Sequence, residues 1–204
     1  MTPPRPRSES AADARRAEIL AVAARLFARK GIEATSVREI ADGVGLNPGA
    51  LYHYFPSKGD IAGTLITGYL TDLLADYRAA GLDDREPRDR LRAIVEVSLR
   101  TGASRPDATK VYHAEFPELR TRRDYARAGE LTTIIQQIWL DAIESGKDAG
   151  ILRTDVPTKI FHRFLRDAVW FSVYWRRPDD EFSVAELSEL CVSLFLDGMG
   201  TKPA

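Results

Sequence analysis

The stretch Ser36–Phe55, SVREIADGVGLNPGALYHYF, decides the fold. Ser36 and Glu39 have the spacing of a capping box, in which the hydroxyl accepts from the N3 amide and the carboxylate reaches back to the cap. Val37, Ile40, Ala41 and Val44 recur at helical spacing and predict one apolar face. Gly43 and Gly45 flank Val44, where a sharp turn needs positive φ. Asn47 then reads as an N-cap with Pro48 at N1, where a missing N–H costs nothing. A second helix of about seven residues, Pro48 to Tyr54, gives Leu51 and Phe55 to the core. It leaves Asn47, Gly49, Ala50, Tyr52, His53 and Lys58 facing outward.

Two short helices across a glycine-bearing turn form either an ordinary αα-corner or a helix-turn-helix, whose second helix lies in the major groove of DNA. An exposed aromatic pair at the end of so short a helix has little packing rationale. As donors, the Tyr hydroxyl and the imidazole N–H suit phosphate contacts that fix register on a duplex. Gly49 and Ala50 offer almost no side chain to read a base edge, so the readout falls either to DNA shape or to neighbours such as Arg38 and Asn47.

Working outward, residues 1–11 are rich in Pro, Ser and Arg and lack apolar periodicity, so a disordered arm is expected. Arg5 and Arg7, with Arg15 and Arg16 beyond, suit either a solvated tail or a contact along a phosphate backbone. A first helix from about Asp13 to Lys30 carries the stripe Ile19, Val22, Ala23, Leu26 and Phe27, and Gly31 ends it. With residues 12–56 it makes a three-helix head. Ser57, with Asp60 at N3, caps a long helix to about Ala80 that joins head to body.

The rest, 57–204, reads as a helical bundle, giving an all-α chain of about nine helices. Expected spans are about Pro87–Thr101, Pro106–Glu115, Thr121–Ser145 closed by Gly146, Pro157–Arg176, and Ser183–Asp197. The helix from Pro157 is apolar on nearly every side between Ile160 and Trp175, and a helix apolar all round must be covered all round. The last helix adds a seam of Leu187, Leu190, Cys191 and Leu194. Phe171, Tyr174 and that seam are therefore expected to pack against a second copy, presenting two heads to a palindrome.

Composition narrows the classes. The chain of 204 residues is 44% hydrophobic with a formal net charge of −1. Residues 1–60 carry 9 Lys+Arg against 7 Asp+Glu, the remainder 20 against 23, so the slight positive charge sits on the head. A single cysteine excludes an internal disulfide framework. No stretch of about 18 apolar residues appears, so no membrane association and a cytoplasmic protein are expected. His53, His113 and His162 are scattered, no cysteine or carboxylate cluster completes a metal site, and no nucleophile motif or Gly-rich phosphate loop is present. Neither catalysis nor a cofactor is expected.

The run TSVREIADGVGLNPGALYHYFPSKGDI, Thr35–Ile61, resembles the DNA-binding signature of the TetR family of one-component regulators. The resemblance implies DNA contacts by Tyr52 and Lys58. Tyr54 stands where the family most often has His, and His53 occupies the variable place. In the body, the pattern R-D-x-x-W-x-S-V-x-W-x-R-P, Arg166–Pro178, resembles the ligand helix of the actinobacterial branch that represses late cholesterol-ring catabolism. VYHAE, Val111–Glu115, is loosely similar to a second segment there. That likeness implies an acyl-CoA effector, a CoA thioester of a steroid-derived indanedione propanoate, held by Arg166 and Trp170 with Tyr112 and Glu115 nearby. From the residues alone, Arg166 and Trp170 share one helix face. An arginine among so many apolar neighbours needs an anion. That anion is either a ligand group or Glu115, Asp141 or Asp167. A drug or fatty acid as ligand, or a body whose head has lost its DNA function, are the alternatives.

Overall fold

A computed structural model describes residues 7–176 and 181–198. Among them the architecture is all-α, as expected, with no strand. The elements are α1 (Arg7–Lys30), α2 (Val37–Gly43), α3 (Pro48–Tyr52), α4 (Lys58–Ala79), α5 (Pro87–Ser104), α6 (Pro106–Glu115), two 3-10 turns (Phe116–Arg120 and Arg123–Tyr125), α7 (Ala126–Asp148), α8 (Thr158–Trp170), α9 (Ser172–Trp175) and α10 (Val184–Val192). A π-helical turn (Ser193–Asp197) follows the last. No described helix is long and apolar enough to cross a membrane. Arg5, Arg177 and Pro178 lie outside the described residues.

The head is built by the local signals. Ser36 and Glu39 form the full capping box on α2, and Asn47 Oδ1 accepts from the Ala50 amide at 2.8 Å to cap α3. Gly31 ends α1 at φ 84° and Gly45 turns the chain at φ 66°. Gly43 behaves differently from the expectation: it stays helical, and an added Cβ would lie 2.6 Å from Val22 Cγ1. Its role is close approach of α2 to α1 rather than positive φ. The helix α1 also begins at Arg7, inside the span expected to be disordered. Ala11, Ala12 and Ala14 lose no side-chain entropy in a helix and extend it backwards. The helix α3 stops at Tyr52, two residues short of expectation. Ile19, Val22, Phe27, Ile40, Val44, Leu51 and Phe55 close the head's core.

The body gathers around α5, which packs against α4, α7, α8 and α10. A buried polar junction ties three of these helices. Tyr77 on α4 shares a hydrogen bond with Ser98 of α5 at 2.6 Å, and Trp139 Nε1 of α7 donates to the Tyr77 oxygen at 3.1 Å. Burial holds the Tyr77 phenol well above its ordinary range.

Boundaries in the body differ from expectation in three places. The helix α7 starts at Ala126 rather than near Thr121, behind the 3-10 turn Arg123–Tyr125. Gly146 does not close α7; it is buried inside it, with room for no Cβ because Leu152 Cδ1 would be 2.8 Å away. Gly150, at φ 69°, makes the turn instead. The helix expected over Pro157–Arg176 is interrupted at Phe171, where the Ser172 hydroxyl donates to the Val169 carbonyl at 2.6 Å.

Tyr77→Phe removes the acceptor for Trp139 and the partner of Ser98 with little change of shape. It should lower stability by about 1–2 kcal/mol, read as a shifted denaturant midpoint with unchanged slope.

Candidate DNA-reading head and ligand cavity

The head presents Tyr52 and His53 outward, with Tyr52 51% exposed at the end of α3. Asn47, Gly49 and Arg38 are exposed beside it, and Ala50 is half-buried. Arg38 is held only loosely, 3.8 Å from Asp42. Asn47 keeps its amide NH2 available, because only its Oδ1 is used by the cap. Tyr54 is half-buried, and its carbonyl accepts from Arg16.

Two expectations are corrected here. Arg16 does not lie along the outer surface; its guanidinium sits 4.2 Å over the Phe55 ring and pins α1 to the end of the reading helix. Lys58 does not face outward either. Its ammonium donates to the Glu33 and Thr35 carbonyls, both at 3.0 Å, and lies 3.9 Å from the Glu33 carboxylate. The Glu33 and Thr35 carbonyls and the Glu33 carboxylate gather negative charge at the α1–α2 loop, and the first turn of α4 supplies the cation they attract.

The body holds a narrow cavity of about 20 Å³ between α4, α6, α7 and α8. Leu73, Tyr112, Phe116, Ile135, Trp139 and Trp170 give it aromatic and aliphatic walls, and Thr132, Gln136, His162 and Arg166 are its polar groups. Trp170 and Tyr112 are buried, joined through Tyr69, whose ring lies 5.7 Å from Tyr112 and 6.4 Å from Trp170. Burial pushes the Tyr112 phenol up to about 12, so it stays a neutral donor. Arg166 stands at the rim with its guanidinium 5.2 Å over the Phe116 ring. Asp167 Oδ1 accepts from its Nε at 2.8 Å and its Nη2 at 2.6 Å. The counter-charge is thus the neighbouring residue, itself half-exposed, and the forward edge of the guanidinium remains available to the cavity. Asp141 is engaged with Gln137.

Glu115 does not line the cavity, contrary to expectation. It accepts from the Tyr125 hydroxyl at 2.8 Å and lies 3.9 Å from Arg122. In α6 the face carrying Tyr112 points inward, and a residue three further on, at the helix end, meets the segment that follows. Thr132, Ile135, Gln136 and Trp139 went unnoticed in the sequence although they recur at i, i+3, i+4 and i+7 along α7. Two polar residues inside an apolar stripe were the signal.

The segment 116–125 joins this cavity to the head. Arg122 lies 4.7 Å over the Tyr125 ring and 3.9 Å from Glu33 of the head. Asp124 packs so tightly on α4 that a Cβ at Gly63 would overlap its backbone carbonyl, and one at Gly59 would overlap its carboxylate.

Comparison with known proteins agrees with this geometry. Residues 19–64 match the sequence profile of bacterial regulatory proteins of the tetR family, and residues 84–199 that of the tetracyclin repressor-like C-terminal domain. The chain belongs to the TetR family. As a TetR-family member it is a helix-turn-helix, DNA-binding transcriptional regulator. The HTH-type transcriptional repressor KstR2 of Rhodococcus jostii is 36% identical over 204 residues, spanning 98% of each chain. The solved structure of the ketosteroid transcriptional regulator KstR2 of Mycobacterium tuberculosis superposes with a TM-score of 0.83 at 30% identity, covering 92% of this chain and 96% of that one. AibR, solved with isovaleryl coenzyme A and operator DNA, shares the fold at 22% identity and a TM-score of 0.76 over 88% of this chain and 97% of its own.

His162 is buried and His113 half-buried beside this TetR-family cavity, and desolvation, reinforced by the Arg166 charge, lowers both imidazoles from 6.5 to about 4. Above the ordinary value both are neutral whether the chain is folded or not. As pH falls toward 4, the unfolded chain takes up protons that the fold refuses, so stability falls. The melting temperature should therefore decline from about pH 6.5 downward, and His162→Gln should flatten that decline.

Proposed function

We propose that the protein is a ligand-released repressor: a dimer holds a palindromic operator, and an acyl-CoA-type effector entering the body cavity releases it. The observation that carries this reading is Arg166 at the rim of an aromatic chamber, with Trp170 one helical turn further on and polar Gln136 and Thr132 opposite. The chamber is narrow as it stands and has to widen around a ligand; its apolar walls and few convergent polar groups then suit a hydrophobic acyl group, and the guanidinium suits a carbonyl or thioester oxygen. The relatives named KstR2, repressors and ketosteroid regulators by name, support a steroid-derived effector, and the thioester rests on the likeness of the Arg166–Pro178 pattern.

On the DNA side, Tyr52 and His53 supply phosphate donors, and Arg38 and Asn47 stand nearest the base edges, with Gly49 and Ala50 allowing close approach. Lys58 acts indirectly, holding the 33–35 loop beneath α2. Two copies are needed for two half-sites. Ile160, Phe164, Phe171 and Trp175 form one exposed stripe along α8 and α9, and Leu190 with Leu194, the latter 75% exposed, forms another. Tyr174 flanks the first; Leu187 and Cys191 are half-buried behind the second. Burial pushes the Cys191 thiol up to about 11, which suits packing rather than reaction. Soluble single chains seldom leave apolar stripes of this size uncovered.

Release follows from differential affinity for two dimer shapes. An effector pressing on Arg166 and Phe116 displaces the 116–125 segment, and Asp124, locked onto Gly59 and Gly63, carries α4 and the head with it.

A band-shift assay on the fragment upstream of the protein's own gene tests the reading. The CoA thioester of the indanedione propanoate should release the fragment, and Tyr52→Ala should weaken binding roughly tenfold while leaving the dimer intact. Arg166→Met should bind the fragment normally and need about tenfold more thioester for release. Normal operator binding by Tyr52→Ala refutes the groove assignment; an unchanged response of Arg166→Met refutes the cavity assignment.

A further inference from the structure

Beside the cavity lies a second compartment, a cleft of about 490 Å³ between α7, α8 and the first 3-10 turn. The two share Phe116, Thr132, Gln136, His162 and Arg166, so they form one continuous site with Arg166 at the throat. The outer cleft differs in character from the inner chamber. Lys159 and Arg163 line it together with Arg166, and no carboxylate does. These three cations stand at i, i+4 and i+7 along α8 and therefore share one face.

Several body cations lack a carboxylate partner among the described residues, Arg78, Lys110 and Arg123 included; of these unpaired cations, Lys159 and Arg163 are the ones that line this cleft. Arg92, Arg100, Arg105, Arg122, Arg127 and Arg153 each meet a carboxylate within the body. Arg166 is balanced by Asp167. Lys159 and Arg163 have no ion pair or side-chain hydrogen bond among the described residues, although residues 61–204 carry 23 acidic side chains against 20 basic ones. Their charge is concentrated in a concave surface, where low-dielectric walls focus it.

We propose that Lys159 and Arg163 form a phosphate-binding mouth, so that the full ligand is an amphiphile with a compact hydrophobic acyl end and a polyphosphate end. This rests on the acyl-thioester reading above and adds to it where the carrier lies. The two residues rise about 6 Å apart along the helix, a span that a pyrophosphate covers. Arginine offers a planar fork to one phosphate and lysine a point charge to the next. Arg166 alone satisfies a free carboxylate at the throat and leaves the mouth empty. The mouth is therefore what separates a CoA thioester from the free acid of the same acyl group, and selectivity is the difference between those two affinities.

The test is calorimetric titration of the full-length dimer with two probes that share one acyl group: the CoA thioester of the indanedione propanoate, and its N-acetylcysteamine thioester, which lacks phosphates. The variant Lys159→Gln/Arg163→Gln should bind the CoA thioester roughly tenfold more weakly and the phosphate-free thioester unchanged. The wild-type affinity for the CoA thioester should fall as salt rises, and the double variant should lose much of that dependence. Equal losses for both probes mean a damaged pocket and overturn the assignment, as does an unchanged affinity for the CoA thioester. A wild-type protein that binds neither probe fails the acyl-thioester reading itself, a result distinct from the other two.

Discussion

The contact between Gly63 of α4 and the Asp124 carbonyl is where the three working parts of the molecule meet. No side chain fits between them, and Gly59, one turn earlier, is closed off in the same way by the Asp124 carboxylate. The helix that carries the head therefore has no slack against the segment that borders the ligand cavity. Close-packed interfaces of this kind have discrete arrangements rather than continuous ones. A shift of the 116–125 segment has to be taken up by α4 as a rigid body.

The surrounding charges fit that role. Arg122 lies between Glu33 in the head, Glu115 at the end of α6, and its own neighbour Asp124. Tyr125 fills the space beneath it and donates to Glu115. On the other side, Phe116 lies under the Arg166 guanidinium. Each contact is individually modest, since the ion pairs are partly exposed. Their importance is that they run from a cavity-lining residue to the loop before α2 that Lys58 holds. At the far end, the Tyr77–Ser98–Trp139 junction fixes α4, α5 and α7 as one unit. The helix α4 is thus packed on the 116–125 segment toward its head end and tied to α5 and α7 at the other.

Legibility in the sequence tracked how local each signal is. The capping box at Ser36, the Asn47–Pro48 start and the glycine turn at Gly45 depend on residues within four positions of one another, and the structure matches them. Gly43 was misread because glycine serves two needs: the sequence does not distinguish positive φ from close approach, and Val22, twenty-one positions away, decides it. Lys58 was placed outward because its acceptors, the Glu33 and Thr35 carbonyls, belong to backbone that carries no side-chain signal. In the body, Tyr112, Arg166 and Trp170 were found through an apolar helix bearing one arginine. Glu115 was included wrongly because its helix ends there. Thr132 and Gln136 carry a local signal as polar residues in the apolar stripe of α7, whereas Lys159 and Arg163 acquire meaning only when α7 and α8 face each other, which is a non-local fact.

The most direct measurement is the coupling between effector and operator in wild type and in Gly63→Ala, taken as the ratio of operator dissociation constants with and without saturating thioester. The added methyl forces Asp124 away from α4 without touching the cavity or the reading helix. The expected result is a variant that still binds both ligands but whose ratio falls toward one. A ratio equal to the wild-type value, with both ligands bound normally, would contradict the claim that this contact transmits the switch.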